Sequence, residues 1–145
     1  DSTDLCPTQA EDINGVEDDD GCPDGDVQIN QNNFLLNADD IFSTNSSKIK
    51  IEGSKYLDEV IAVLKKSPDK KWRIEGHMDS KGDTRFLRTL SLDRAKAVLE
   101  YFIYFGNLKR ENFKVFGLGD KMPVADNRTE EGRKQNRRIE IFVED

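Results

Sequence analysis

The strongest constraint on how this chain can fold is a change of period within one stretch. Residues 71–75, Lys-Trp-Arg-Ile-Glu, alternate charged and apolar side chains as a half-buried strand does. Beyond residue 91, Ala95, Val98, Leu99 and Phe102 recur at the spacing of one helical face. Between the two runs lies GHMDSKGDTRFLRTLSLDR, from Gly76 to Arg94. The stretch therefore reads as strand, polar loop and helix, with Asp79 where the strand ends. Ser91 is the expected N-cap, its hydroxyl accepting a bond from a first-turn amide. Arg94 then falls in the first helical turn, where the partial positive charge of the helix end opposes a cation by a few tenths to about 1 kcal/mol. A compensating partner is expected. An acid at a strand end facing a base at a helix mouth is what a binder of a small zwitterion needs; an ordinary surface ion pair, which contributes little, is the plain alternative.

The rest of the domain extends the same alternation. Short strands are expected at Phe34 to Leu36 and Asp40 to Thr44, followed by a polar turn from Asn45 to Lys48. Ser54 is placed to cap a helix whose buried stripe is Leu57, Val60, Ile61 and Leu64, and Pro68 ends it by disfavouring helical geometry at Ser67. The second helix runs to Gly106, a natural residue to follow a helix end. A strand from Phe113 to Leu118, a loop from Asp120 to Asn127, a helical turn from Thr129 to Gln135 and a strand from Arg138 to Val143 complete the chain. Strands alternating with helices predict an α/β (α+β) two-layer sandwich, a sheet covered on one side by two main helices.

Charge divides the molecule in two. Residues 1–30 hold ten Asp or Glu and no Lys or Arg, while residues 31–145 hold nineteen acids and all twenty-two bases. The formal net charge of -7 is thus an arm at -10 and a domain at +3. The expected organisation is a linker over residues 1–30 and one domain over residues 31–145. No nucleic-acid motif is present, and no run of about 18 apolar residues exists to span a membrane. A chain starting at Asp1 with an acidic arm is expected to be a mature or truncated fragment whose anchor lies elsewhere.

Several motifs, in order, resemble one family. Gly76, His77, Met78 and Asp79, then Gly82, then Leu90, Ser91, Arg94 and Ala95 follow the G-H-T-D, glycine loop, L-S-x-x-R-A signature of the OmpA-like C-terminal domain, a periplasmic module that holds peptidoglycan. Gly117, Gly119 and Pro123 continue the match, and Ala125 to Arg138 (ADNRTEEGRKQNRR) fits the family's N-x-T-x-E-G-R-x-x-N-R-R block. The resemblance covers about residues 33–143 and implies a βαβαβ fold with a mixed sheet. It also implies a non-catalytic module that tethers an envelope protein to the cell wall. Asp79 would accept bonds from the ammonium of a diamino acid in the peptidoglycan stem peptide, while Arg94 would grip its carboxylate with two prongs. Arg138 would help shape the site, Arg137 and Asn136 would order the loop below it, and Thr44 and Asn45 are further ligand candidates by position. No cofactor is required, and other envelope proteins are possible partners.

Departures from the pattern define the alternative. Leu87 stands where the family usually has Asn, Met78 where it usually has Thr, and Phe42-Ser43-Thr44-Asn45 where it usually reads F-D-x-N. Three polar groups are therefore absent near the site. The rival expectation is a divergent OmpA-like scaffold or protein-interaction domain whose peptidoglycan binding is lost or altered.

The arm repeats a short unit. Asp12, Asn14, Gly15 and Asp18, then Asp18, Asp20, Gly21 and Asp24, recur every six residues. Closely spaced carboxylates with an amide oxygen and a turn glycine suit calcium. The arm resembles thrombospondin type 3 repeats, including the Cys-Pro elements at Cys6 and Cys22; a solvated acidic linker is the alternative. In an oxidising compartment Cys6 and Cys22 are expected to pair, contributing on the order of 3 kcal/mol to closing the arm. In a cytosolic protein they would be free thiols.

Two further features read as structural. His77, the one histidine, has no second metal-ligand histidine and no nucleophile beside it. Tyr101, Phe102, Tyr104 and Phe105 read as core and helix end rather than as a ligand platform.

Overall fold

The computed structural model describes residues 28–29 and 33–144. The arm's candidate ligands Asp12, Asn14, Asp18, Asp20 and Asp24, and the expected Cys6–Cys22 pair, lie outside the described residues.

The alternating 71–75 run becomes the strand Trp72–His77, but it is half-buried only near its start, because Glu75 and His77 on the face away from the core are buried as well. Trp72 and Ile74 enter the main apolar core, while Arg73 stays half exposed on the other side. The sheet comprises β1 (Gln28–Ile29), β2 (Asn33–Asn37), β3 (Trp72–His77), β4 (Phe113–Gly119) and β5 (Arg138–Val143). Their spatial order is β1-β2-β5-β3-β4. β3 and β4 are parallel, and β5 lies between β2 and β3, antiparallel to both. The last strand in sequence is therefore central, placing Arg137 and Arg138 beside the ends of β2 and β3.

Two long helices, α2 (Ser54–Leu64) and α3 (Thr84–Gly106), cover one face of the sheet, giving the expected two-layer α/β sandwich. Tyr56, Leu57, Val60, Ile61 and Leu64 form the buried stripe of α2; Ala95, Val98, Leu99 and Phe102 form that of α3. The approach of α3 to the sheet is close. A Cβ at Gly76 would come within 2.0 Å of the Ser91 carbonyl oxygen, and one at Gly117 within 2.4 Å of the Leu92 nitrogen. Those glycines let the helix rest directly on β3 and β4. No helix among the described residues is long and apolar enough to cross a membrane.

Local chemistry corrects four boundaries. The expected strand over Asp40–Thr44 is instead a short helix, α1 (Ala38–Ile41), because Asn37 caps it, accepting from the Asp39 amide at 2.8 Å, and Asp39 and Asp40 suit its positive N-terminal end. Only Phe42 keeps a strand-like bridge, to Ile49. Ser54 begins α2 without capping it: its hydroxyl donates back to the Ile51 carbonyl. Ser91 does not cap α3 either. Asp83 does, accepting from the amides of Arg85 and Phe86, so the helix starts two turns earlier. At the other end Asn107 takes the left-handed position at φ 56°, and Gly106 remains helical. Thr129 caps the last helix, α4 (Glu130–Asn136), by accepting from the Gly132 amide.

Candidate functional site

Moving the start of α3 changes what Arg94 is. It lies deep in the helix, 2% exposed, with its guanidinium beneath the turn at residues 43–46. Nε donates to the Ser46 carbonyl at 2.9 Å and Nη2 to the Ser43 carbonyl at 3.1 Å, so one side chain holds both ends of that turn. Nη1 meets the Met78 sulfur at 3.4 Å, and the guanidinium lies 5.0 Å from the centre of the Phe42 ring. The expected dipole penalty therefore does not arise; the cost to Arg94 is burial. Burial pushes its pKa down to about 10, Arg137 presses the same way, and Asp39 and Asp79 oppose them. Arg94 remains a cation at neutral pH, and no carboxylate among the described residues lies within ion-pair distance of it.

Asp79 does sit where β3 ends, and it is 5% exposed. Its partner is Arg137, not Arg94. Arg137 Nη1 donates to one Asp79 oxygen, and the Lys81 amide donates to the other at 2.9 Å. Arg137 also grips Asp39 with two prongs, at 3.0 and 2.9 Å, and reaches Glu130 at 3.1 Å. The Asp39 bonds, followed by those to Asp79 and Glu130, raise the pKa of Arg137, against the opposing effect of burial. Two buried or half-buried arginines and two aspartates thus meet where α1, β3, β5 and α3 converge.

The remaining candidates divide. Thr44 and Asn45 are exposed at the tip of the turn that Arg94 holds, with Asn45 at a left-handed φ of 55°. Arg138 is not part of this group. Because successive strand residues face opposite ways, it lies across from His77 and donates to Glu140, to the Asn136 carbonyl and to the Met122 carbonyl. Asn136, fully buried, makes four bonds: its oxygen accepts from the Val124 and Ala125 amides, and its nitrogen donates to Ala125 and Asn127. It orders the 124–127 loop. Leu87 is not at the rim but fully buried, in a small second core with Met78 and Leu90. Sequence reasoning missed Arg137 and Asp39 as members of the group. The strand alternation at Arg137 and Arg138 was the available signal for the first; Asp39 was hidden by reading α1 as a strand.

His77 lies on the other face of the sheet. Its Nε2 is 3.0 Å from Glu75, and Glu75, His77 and Glu140 each bring one potential metal-ligand atom within 4.8 Å of the others. Arg73 and Arg138 already engage the two carboxylates. His77 Nδ1 has no partner among the described residues, whereas a ligating imidazole normally donates from its second nitrogen. The donor set fits a charge-balanced network rather than a metal centre.

With the geometry in place, the family can be assigned. The OmpA family model matches residues 41–137. The chain belongs to the OmpA family. It is 34% identical over 110 residues to "Outer-membrane lipoprotein YfiB" of Pseudomonas aeruginosa, covering 76% of this chain and 65% of that protein. It is 39% identical over 87 residues to "Peptidoglycan-binding protein ArfA" of Mycobacterium bovis, covering 60% of this chain and 26% of that one. The chain therefore spans less than two thirds of either relative's length. Among solved structures, the cell wall anchor of the T6SS from Pseudomonas aeruginosa superposes with a TM-score of 0.69 at 27% identity, covering 82% of this chain and 87% of that one. Its fold is that of OmpA-like domains.

Proposed function

We propose that this domain is a non-catalytic peptidoglycan-binding module in the periplasm, tethering an outer-membrane-associated envelope protein to the cell wall. The observation that carries the reading is Arg94: a buried guanidinium held by two backbone carbonyls and a thioether, with no carboxylate among the described residues in contact with it. A buried cation is costly unless paired, so a site that keeps one suits an anionic ligand group. Of the five N–H groups of Arg94, three are engaged, one of them only by sulfur. One N–H on each terminal nitrogen remains for a carboxylate. Asp79 has each oxygen used once and retains lone pairs for an ammonium. A carboxylate on Arg94 and an ammonium on Asp79 together describe the zwitterionic end of a diamino acid, the group by which a peptidoglycan stem peptide differs from ordinary peptides. The relatives named for an outer membrane, a cell wall anchor or peptidoglycan binding support the same placement.

One observation favours the second reading, an interaction scaffold with lost wall binding: beside Arg94 Nη1, Met78 presents a thioether, which cannot donate to a ligand carboxylate as a hydroxyl could. Co-sedimentation with purified peptidoglycan sacculi separates the two. The wild-type chain should pellet with sacculi and Asp79→Ala should stay in the supernatant while remaining folded by circular dichroism. A folded wild type that does not pellet sinks the wall-binding reading.

A further inference from the structure

The aromatic run at the end of α3 is not all core. Phe102 is buried, but Tyr104 is 77% and Phe105 72% exposed, and the Tyr101 and Phe105 rings pack with centroids 4.7 Å apart. With Ile49 and Ile51 these rings line an open groove of about 550 Å³, within the size range of small-ligand sites. Ile51 is 90% exposed at its edge. Three large apolar side chains left uncovered around one groove make it a candidate binding surface.

The groove and Arg94 lie along the same helix. Ala97, Tyr101 and Tyr104 follow Arg94 at intervals of three, four and three residues, so they extend the same face of α3. At about 1.5 Å per residue, Tyr104 lies roughly 15 Å along the helix from Arg94. The opposite wall, from Ser47 to Ile51, is the chain leaving the turn whose ends Arg94 holds. Lys50 ties that wall to the acid group by donating to the Asp39 carbonyl at 2.9 Å. A ligand whose charged end lay on Arg94 and Asp79 would emerge against the aromatic rings.

The lining chemistry selects a neutral partner. The groove holds one cation and one anion, and neither is idle: Lys50 is on the Asp39 carbonyl, and Glu100 is bound by both terminal nitrogens of Arg110. What remains is ring faces, aliphatic edges and the hydroxyls of Ser47 and Ser54. Ring faces accept the C–H face of a pyranose, hydroxyls answer its hydroxyls, and isoleucine edges suit an acetamido methyl. We infer that the groove is a glycan subsite that takes an N-acetylated sugar of the strand bearing the stem peptide. The inference rests on the peptide-clamp reading and adds a second point of contact to it.

Calorimetry with two ligands tests it: a free stem tripeptide containing the diamino acid, and the same tripeptide on its disaccharide. The wild type should bind the disaccharide form several-fold to about tenfold more tightly. The Tyr104→Ala/Phe105→Ala double variant should lose that preference; both side chains are largely exposed, so the fold should hold. Equal wild-type affinities would overturn the subsite and leave the clamp standing. Binding of neither ligand would overturn the clamp and this inference with it. A wild-type dimer that the double variant dissociates, without any sugar preference, would assign the groove to a second copy and overturn the glycan reading.

Discussion

Two arginines adjacent in sequence, Arg137 and Arg138, anchor two ionic groups on opposite faces of the same sheet, and the groups differ in what they leave unmet. Around Arg138 the balance is closed. Glu140 takes its charge, Arg73 takes that of Glu75, and His77 shares the second oxygen of Glu75. Around Arg137 the balance is open, because Arg137 holds Asp39 and Asp79 while Arg94, nearby and nearly inaccessible, has only carbonyls and a thioether. Both regions are buried and rich in charge. Burial and charge therefore do not distinguish the two faces; a buried guanidinium that no carboxylate among the described residues contacts does, and the proposed clamp rests on it.

The sharpest test of the open side concerns how its helix is seated. Leu87 was the position at which a lost amide could have been restored, but it is packed against Met78 and Leu90. Leu87→Asn should cost about 3–5 kcal/mol, combining the lost apolar contacts with a buried amide that lacks partners. Thermal or denaturant unfolding measures it. A loss under 1 kcal/mol would mean that the second core is loose and that the amide had found ligand-like company.

One arginine from each face, Arg94 and Arg138, should separate binding from folding, provided affinity is read on folded protein, because Arg94 also fastens the 43–46 turn. Arg94→Ala should weaken binding to the diamino-acid peptide by 2–5 kcal/mol, at least about thirtyfold, as expected when one partner of a desolvated charge pair is removed. Arg138→Ala should destabilise the fold by about 1–3 kcal/mol by stranding Glu140 and the Met122 carbonyl, with peptide affinity kept in the folded fraction. If both variants lose affinity equally while folded, the two faces are not independent and the comparison fails.

Protonation probes the closed side. Burial, then Arg138, holds the His77 pKa below its ordinary value, against the pull of Glu75 and Glu140. The unfolded chain therefore takes up a proton near pH 6.5 that the folded chain takes up only at lower pH. This contribution to stability should be complete above about pH 6.5 and fall as pH drops from there towards the folded pKa. Urea midpoints from pH 7.5 to 5 should decline in the wild type and decline less in His77→Gln. Equal slopes would show that protonation of His77 is not linked to folding.

How much of this was legible in the sequence follows from period and spacing. The strands at Trp72, Phe113 and Arg138, and the stripes of both long helices, were readable because apolar spacing reports which face is buried. Asp79 at the end of its strand followed from the same alternation. The start of α3 was not readable, because Asp83 and Ser91 are both good caps and the earlier turns carry Phe86, Leu87 and Leu90 among arginines, blurring the stripe. Choosing Ser91 put Arg94 at a helix mouth opposite Asp79, whereas the fold gives Asp79 to a residue 58 positions away. A partner at that distance leaves no local periodicity. The aromatic run failed differently: consecutive helix residues circle the axis, so Phe102 and Gly106 face the core while Tyr104 and Phe105, between them in sequence, turn to solvent.

The smallest predicted effect concerns Met78, whose sulfur is a weak acceptor on a strong donor. Met78→Thr would remove some apolar contact with Leu87 and Leu90 and place a hydroxyl near Arg94 Nη1. If a ligand carboxylate lies on Arg94, a threonine hydroxyl that donates to it should tighten peptide binding by about 0.5–1.5 kcal/mol, up to roughly tenfold, while costing about 1 kcal/mol of stability. The two effects oppose each other, so affinity must be measured on folded protein well below its unfolding midpoint. Tighter binding would show that a working clamp gains from a donor that the thioether lacks. Unchanged affinity in a wild type that binds would show that the carboxylate lies out of reach of residue 78, and no binding in either protein would leave Arg94 as a fastener of the 43–46 turn, making the open side of the sheet a structural counterpart of the closed one.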